Sequence, residues 1–459
     1  MTVRMLRLAS LAAACSIFAL SSAALGGAMR HPEAQQHVTK LPAKKMVPHG
    51  AHMLAMAAPG DACNGAGQPF CDALMDPTPG WTGHVFKLAQ NYPASAPQDD
   101  QPWLKLDPKT QALDYLKSVL AYFYEGNIRD SVEESFDPTK NTVRQWYNAP
   151  WQDFGVGGRE FIHGLTRERV SLPGELAPAQ TSKWNNYAVG FYNAPGGVTI
   201  GKVWADHMNP QVSLAAMPEG TVGAKLLYTT ATVDEVPYLA GAPAWQAYVY
   251  KDVHATTPKE TDPRAVTTVR LLQIDIAVKD SRVGGTTGWV FGTFVYGGGP
   301  GGPAGSGWTN VAPVGSSWGN DPTYSGTGPV GEQVMNTAVN MPHVGYQGRL
   351  NGPVDNPVSS CLSCHSTAEI PRAARMYPAS GSTPAQIAFF FRNVPSDTPF
   401  DNDGQHTSTD YSLQVAGGIS NFQSYHQVIA AKTVAEENKA LAALHKAEQL
   451  TPRNGGKVD

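Results

Sequence analysis

Val266-Thr267-Thr268-Val269-Arg270-Leu271-Leu272-Gln273-Ile274-Asp275-Ile276-Ala277-Val278 repeats with a period of two. Successive side chains of a pleated strand point to opposite faces. Leu271, Gln273, Asp275 and Ala277 therefore share one face, and Leu272, Ile274 and Ile276 the other. Comparable runs flank it at Tyr187–Tyr192, Val198–Trp204, Thr221–Thr230 and Trp289–Tyr296, each bounded by turn residues. Such strands, joined by long connections, predict an antiparallel sheet.

Helical periodicity lies outside this block. Asp107 and Pro108 make a helix start, and Leu113, Leu116, Leu120 and Phe123 recur at helical spacing up to Gly126-Asn127. Thr383–Asn393 reads as a short helix and Asn421–Leu450 as a longer amphipathic one. The predicted class is α+β, an antiparallel sheet domain with helical N-terminal and C-terminal extensions. Its boundaries are a signal sequence at 1–28, a Pro- and Ala-rich linker at 29–100, a mainly helical region at 101–180, the sheet domain at 181–380 and a helical region at 381–459. Hydrophobic residues make up 42% of the chain, enough for a sizeable core. A net charge of −4 gives no electrostatic case for a nucleic-acid partner or an anionic membrane surface.

Cys361-Leu362-Ser363-Cys364-His365 is the most specific chemical signal in the chain. Two thiols at i and i+3 followed by an imidazole form the attachment pattern of haem c. The thiols add to the two vinyl groups as thioethers, and the adjacent imidazole then reaches the iron. Cys361 and Cys364 are thus the expected attachment sites of one covalent haem, with His365 as the metal ligand. The competing readings are a redox dithiol, a disulfide or half of a zinc site. No further Cys follows to complete a zinc site.

The remaining sequence agrees with export. Arg4 and Arg7 precede an apolar run from Leu8 to Leu20, and small residues near Ala23–Gly26 suit a signal peptidase. The expected location is periplasmic or secreted, with no integral membrane span. Cys15 leaves with the signal, so Cys63 and Cys71 remain; a disulfide between them is the natural pairing in that oxidising compartment, and two free thiols are the competing reading. Gly326-Thr327-Gly328-Pro329-Val330-Gly331 matches a dinucleotide fingerprint only formally, because it contains Pro and neither follows a strand nor opens a helix. No single residue stands out as a sixth iron ligand. Met335, Met341, His343, Met376, His406, His426 and His445 are the candidates around the motif; His163 reads as a structural residue first and a distal candidate second.

Several segments, in order, resemble the cytochrome P-460 superfamily, whose members include hydroxylamine oxidisers and the gas-binding cytochromes c′-beta. They are Pro218-Glu219-Gly220-Thr221-Val222-Gly223-Ala224-Lys225, Asp275-Ile276-Ala277-Val278-Lys279-Asp280-Ser281, Gly288-Trp289-Val290-Phe291, the Cys361–His365 motif and Arg375-Met376-Tyr377-Pro378. The resemblance covers the middle third of the chain plus the motif. It implies an antiparallel-sheet haem domain, usually dimeric. It also implies a cross-link from Lys225 to the haem macrocycle and a catalytic role for Asp275 over the distal face. Asp275 stands where the hydroxylamine oxidisers carry the longer Glu. The implied function is oxidation of a small nitrogenous substrate such as hydroxylamine, with electrons passed to a redox partner protein. The alternatives are an electron-transfer cytochrome without substrate chemistry and a nitric oxide- or carbon monoxide-binding haem protein.

Overall fold

The computed structural model describes residues 81–129, 135–152, 159–160, 162–258 and 262–430. The signal sequence, the Cys63–Cys71 pairing, His445 and the helix expected beyond residue 430 lie outside the described residues.

The central strand is β5 (Arg264–Lys279), built on the alternating run around Asp275. Its C-terminal half pairs antiparallel with β3 (Val222–Thr229) and with β6 (Trp289–Tyr296). Its N-terminal half pairs with β4 (Ala244–Tyr250). β1 (Thr166–Arg167) and β2 (Asn186–Tyr192) extend the sheet beyond β3, while β7 (Val311–Ser317) and β8 (Gln333–Met335) extend it beyond β6. The result is an eight-stranded sheet whose pairings are all antiparallel. Among the described residues, no helix is long and apolar enough to cross a membrane.

Alternation assigns the two faces to different jobs. Val222, Ala224, Leu226, Leu272, Ile274, Ile276, Val278, Val290 and Phe294 belong to the main core. The same core holds Tyr115, Leu116, Val119 and Phe123 of α1 (Ala112–Tyr124). Asp107 caps the turn before this helix, its Oδ1 accepting from the backbone N–H of Lys109 and Thr110. Gly292 is where helix and sheet come closest, since a Cβ there would lie 2.3 Å from Leu116 Cδ1. Gly292→Ala is expected to destabilise the fold by about 1–3 kcal/mol through overpacking, read as a lower urea midpoint at unchanged slope. An unchanged midpoint would mean that Leu116 can move aside.

The opposite face of the sheet is also covered. Trp289 and Phe291 of β6 cluster there with Leu362 of the short helix α3 (Cys361–His365) and with Val415, Ala416 and Ile419 of α5 (Leu413–Ala430). Between these helices lie β9 (Glu369–Ile370), α4 (Pro384–Phe390) and β10 (Thr407–Ser408); β9 and β10 pair as a separate antiparallel ribbon.

Three expectations are corrected here. Val198–Trp204, read as a strand, lies mostly within helix α2 (Ala194–Val203). Asn193 caps that helix and Pro195 occupies its first turn, and these start signals outweigh the apparent alternation of Val198 and Ile200. Region 101–180 is not mainly helical: α1 is its one α-helix among the described residues. The described part of the expected linker, residues 81–100, has no helix or strand, yet Phe86 is buried against Phe136, Phe191 and Trp245.

Candidate functional site

On the covered face, side chains from adjacent strands fall into rows. Lys225 of β3 pairs with Asp275 of β5, which pairs with Thr293 of β6. The next row is Gly223, Ala277 and Phe291. A Cβ on Gly223 would meet nothing closer than 3.6 Å, so the floor of the site is open there. These rows face a cleft of about 1560 Å³, a figure that includes the open space at its mouth.

One wall of the cleft is α3. Ser360 starts it with a reciprocal cap: its Oγ accepts from Ser363 N–H at 3.0 Å, and Ser363 Oγ accepts from Ser360 N–H at 2.8 Å. Ser360 Oγ also donates to Asn320 Oδ1 at 2.8 Å, tying the helix start to the loop after β7. This single turn presents Cys361, Cys364 and His365 to the cleft together. Glu168 and Asp355 add carboxylates, and Tyr411 and Leu413 add an apolar side. All five residues expected to act (Lys225, Asp275, Cys361, Cys364 and His365) therefore line one cleft.

The protonation states follow from burial. The two thiols are free, and burial pushes Cys361 well above the usual thiol range and Cys364 up to about 12. A redox dithiol works through a thiolate, the form that burial and the nearby Asp355 carboxylate oppose at both positions. Burial lowers His365 to about 4, so the imidazole is neutral. Its Nδ1–H donates to the Tyr411 carbonyl at 2.9 Å, which fixes the tautomer and leaves Nε2 with its lone pair. An imidazole held by a backbone carbonyl in this way is the usual second-shell arrangement of a metal ligand. Two free thiols and an oriented neutral imidazole on one wall of an open cleft fit the covalent haem that the motif implies. Among the described residues, neither cysteine belongs to any trio of His, Cys, Asp or Glu close enough to share a metal ion, which disfavours the zinc reading.

Asp275 is held by a fixed network. Gln273 Nε2 donates to Asp275 Oδ1 at 2.8 Å and Oδ2 at 2.9 Å, and Thr293 Oγ1 donates to Oδ1 at 2.9 Å. Gln273 is itself oriented, its Oε1 accepting from Val354 N–H at 3.2 Å. Burial and the nearby Asp355 carboxylate raise Asp275 to about 7, against the opposing pull of Lys225. For Lys225, burial alone would favour the neutral amine. Glu168, Asp275 and Asp355 outweigh burial and hold the amine above its usual range, with Glu168 Oε1 3.6 Å from Nζ.

Of the proposed sixth ligands, Met376 lines the cleft, where its sulfur accepts a 3.7 Å contact from Arg372 Nη2. Met335, Met341, His343, His406 and His426 do not line it. His163 is buried and stacked on Trp245 with centroids 4.5 Å apart, away from the cleft, which fits a structural role and removes it as a distal candidate. Sequence reasoning did not single out Glu168, Asp355 or the Tyr411 carbonyl. No local motif marks them, because they arrive from separate segments. Comparison with family models, curated proteins and solved structures returned no match.

Proposed function

We propose that the cleft holds one covalently attached haem c and that the protein is an exported oxidoreductase acting on a small nitrogenous substrate such as hydroxylamine. The observation that carries this reading is that Lys225, Asp275, Cys361, Cys364 and His365, named from three separate segments, line one cleft. A haem bound there supplies one-electron exchange at iron. Cys361 and Cys364 anchor the group, and His365 Nε2 is the nitrogen available to the metal. Oxidising hydroxylamine releases protons as well as electrons. Asp275 is the base placed to accept one, and Gln273 and Thr293 keep its oxygens oriented. The electrons leave through a redox partner protein.

With Asp275 raised to about 7, the carboxyl is mostly protonated at pH 6 and mostly ionised at pH 8. Because the ionised form is the base, turnover should rise as pH increases through about 7 and then level off. Steady-state kcat against pH on the purified haem-loaded protein checks this. A flat profile would remove Asp275 from proton transfer.

Met376 supports a second reading, an electron-transfer cytochrome in which its sulfur would be a further ligand to the metal. The absorption spectrum of the ferrous protein separates the two. A strongly red-shifted Soret band, together with hydroxylamine turnover, supports the oxidoreductase. An ordinary low-spin spectrum with sharp α and β bands and no turnover supports the carrier.

A further inference from the structure

A second cluster of ligating side chains lies at the β9–β10 ribbon, outside the cleft. One ligand atom each from Glu369, Asp401 and His406 lies within 4.8 Å of the others. Glu369 sits on β9 opposite Ser408 of β10, and His406 immediately precedes β10. None of the three lines the cleft.

The two oxygens of Glu369 are treated unequally. Oε2 accepts the Asp401 backbone N–H at 2.9 Å, whereas Oε1 is buried without a hydrogen-bond partner. The whole residue is 0% exposed. A buried carboxylate oxygen left unmet is unfavourable, and a cation beside it would satisfy it. His406 is already set as a ligand would be. Its Nδ1 lies 2.9 Å from Asp403 Oδ1, which leaves Nε2 as the nitrogen with a lone pair. A carboxylate that orients an imidazole in this way is a recurrent support of metal-bound histidine.

Charge points the same way. Glu369 and Asp401 face the Arg392 guanidinium, which donates to the carbonyls of Phe389 and Phe400 and lies over both rings, while Asp403 pairs with His406. The three carboxylates favour positive charge at the His406 imidazole, and a divalent ion there would supply it in place of a proton. Two carboxylates and an imidazole suit zinc or a similar transition metal. Calcium instead demands six to eight oxygens, about twice what this trio offers.

We propose that Glu369, Asp401 and His406 bind one divalent transition-metal ion of the zinc class, which clips the β9–β10 ribbon. The ribbon follows the segment bearing His365 and leads to Tyr411, whose carbonyl orients that imidazole. The proposal does not rest on the reading of the cleft.

The test uses the full exported chain, stripped with chelator, dialysed against zinc chloride and analysed for zinc separately from iron. Wild-type protein should retain about one more zinc equivalent per chain than either His406→Ala or Glu369→Gln. His31, His37, His49 and His52 could take adventitious zinc elsewhere, so this difference is the decisive figure. Zinc should raise the thermal midpoint of wild type but not of His406→Ala, and Asp403→Asn should weaken binding by about 10–100-fold. His406 is near the surface, so its variant should fold even if the buried Glu369 variant does not. Equal zinc content in wild type and His406→Ala would overturn the proposal, as would displacement of the zinc by excess calcium.

Discussion

Cys361→Ala combined with Cys364→Ala is expected to abolish covalent haem, seen as complete loss of haem stain on a denaturing gel. The expectation rests on local geometry. Both thiols come from one capped helical turn and both face the cleft that His365 also faces. Cys361 Sγ approaches Asn351 Oδ1 at 3.7 Å and Thr293 Oγ1 at 3.9 Å, so it lies beside the Asp275 row of the sheet. The fold itself should persist, because Leu362 and Ser363, the fully buried residues of α3, are untouched. Circular dichroism of the variant should therefore match wild type. Stain that persists in the double variant would remove the thioether attachment, and with it the central premise of the proposed function.

Most of the sheet was legible because its central strands carry their own pattern. β3, β5 and β6 alternate between core and cleft residues, and their ranges match the predicted ones to within a few residues. Val-Ala-Pro-Val-Gly-Ser-Ser of β7 gives no such signal, since Pro, Gly and Ser disfavour strands in isolation. Its ladder exists because β6 offers an edge to pair with. β4 was missed although Trp245, Ala247 and Val249 alternate, because Ala244, Gln246 and Ala247 weaken its first half. Thr383–Asn393 was legible as a short helix, and the structure shows Pro384–Phe390 of it helical behind a reciprocal Thr383–Gln386 cap.

The site was legible in proportion to how local it is. The Cys361–His365 turn needs only its own spacing. Lys225 and Asp275 were placed on strand faces by alternation, but alternation cannot say whether a face meets solvent or another layer. Coverage by α3 and α5 decides this, and no residue on β3 or β5 encodes it. The directly opposed pairing of Lys225 and Asp275 likewise depends on register, which a one-residue slip would reverse. Glu168 follows β1, a two-residue strand with no readable pattern. Asp355 belongs to an irregular loop, held by Gly352 N–H at 2.8 Å and Gln273 Nε2 at 3.2 Å.

Lys225 and Asp275 together separate the oxidoreductase from the carrier. If Lys225 is bonded to the macrocycle, a digest of the wild-type protein should contain a haem bridging two peptides, one with Cys361–His365 and one with Lys225. Forming that C–N bond replaces a ring C–H and an N–H, so two electrons and two protons must leave, taken by an oxidant of the peroxide class. Lys225 is protonated in its carboxylate-rich corner, and Glu168, 3.6 Å from Nζ, is the nearest base to take its proton. Lys225→Leu should yield a single haem peptide and return the spectrum to that of an ordinary open c-type haem. Asp275→Ala should leave the bridge intact and slow hydroxylamine oxidation by about 10²–10⁴-fold, the usual contribution of a general base. It should leave nitric oxide binding to the ferrous protein possible, because binding needs no proton acceptor. The Asp side chain is one methylene shorter than Glu, so a water relaying the proton to Asp275 would make the loss smaller. A single haem peptide from wild-type protein would remove the cross-link and put the gas-binding and carrier readings ahead. A bridged haem with unchanged turnover in Asp275→Ala would keep the attachment and move the proton acceptor elsewhere, with Asp355, joined to Asp275 through Gln273, next in reach.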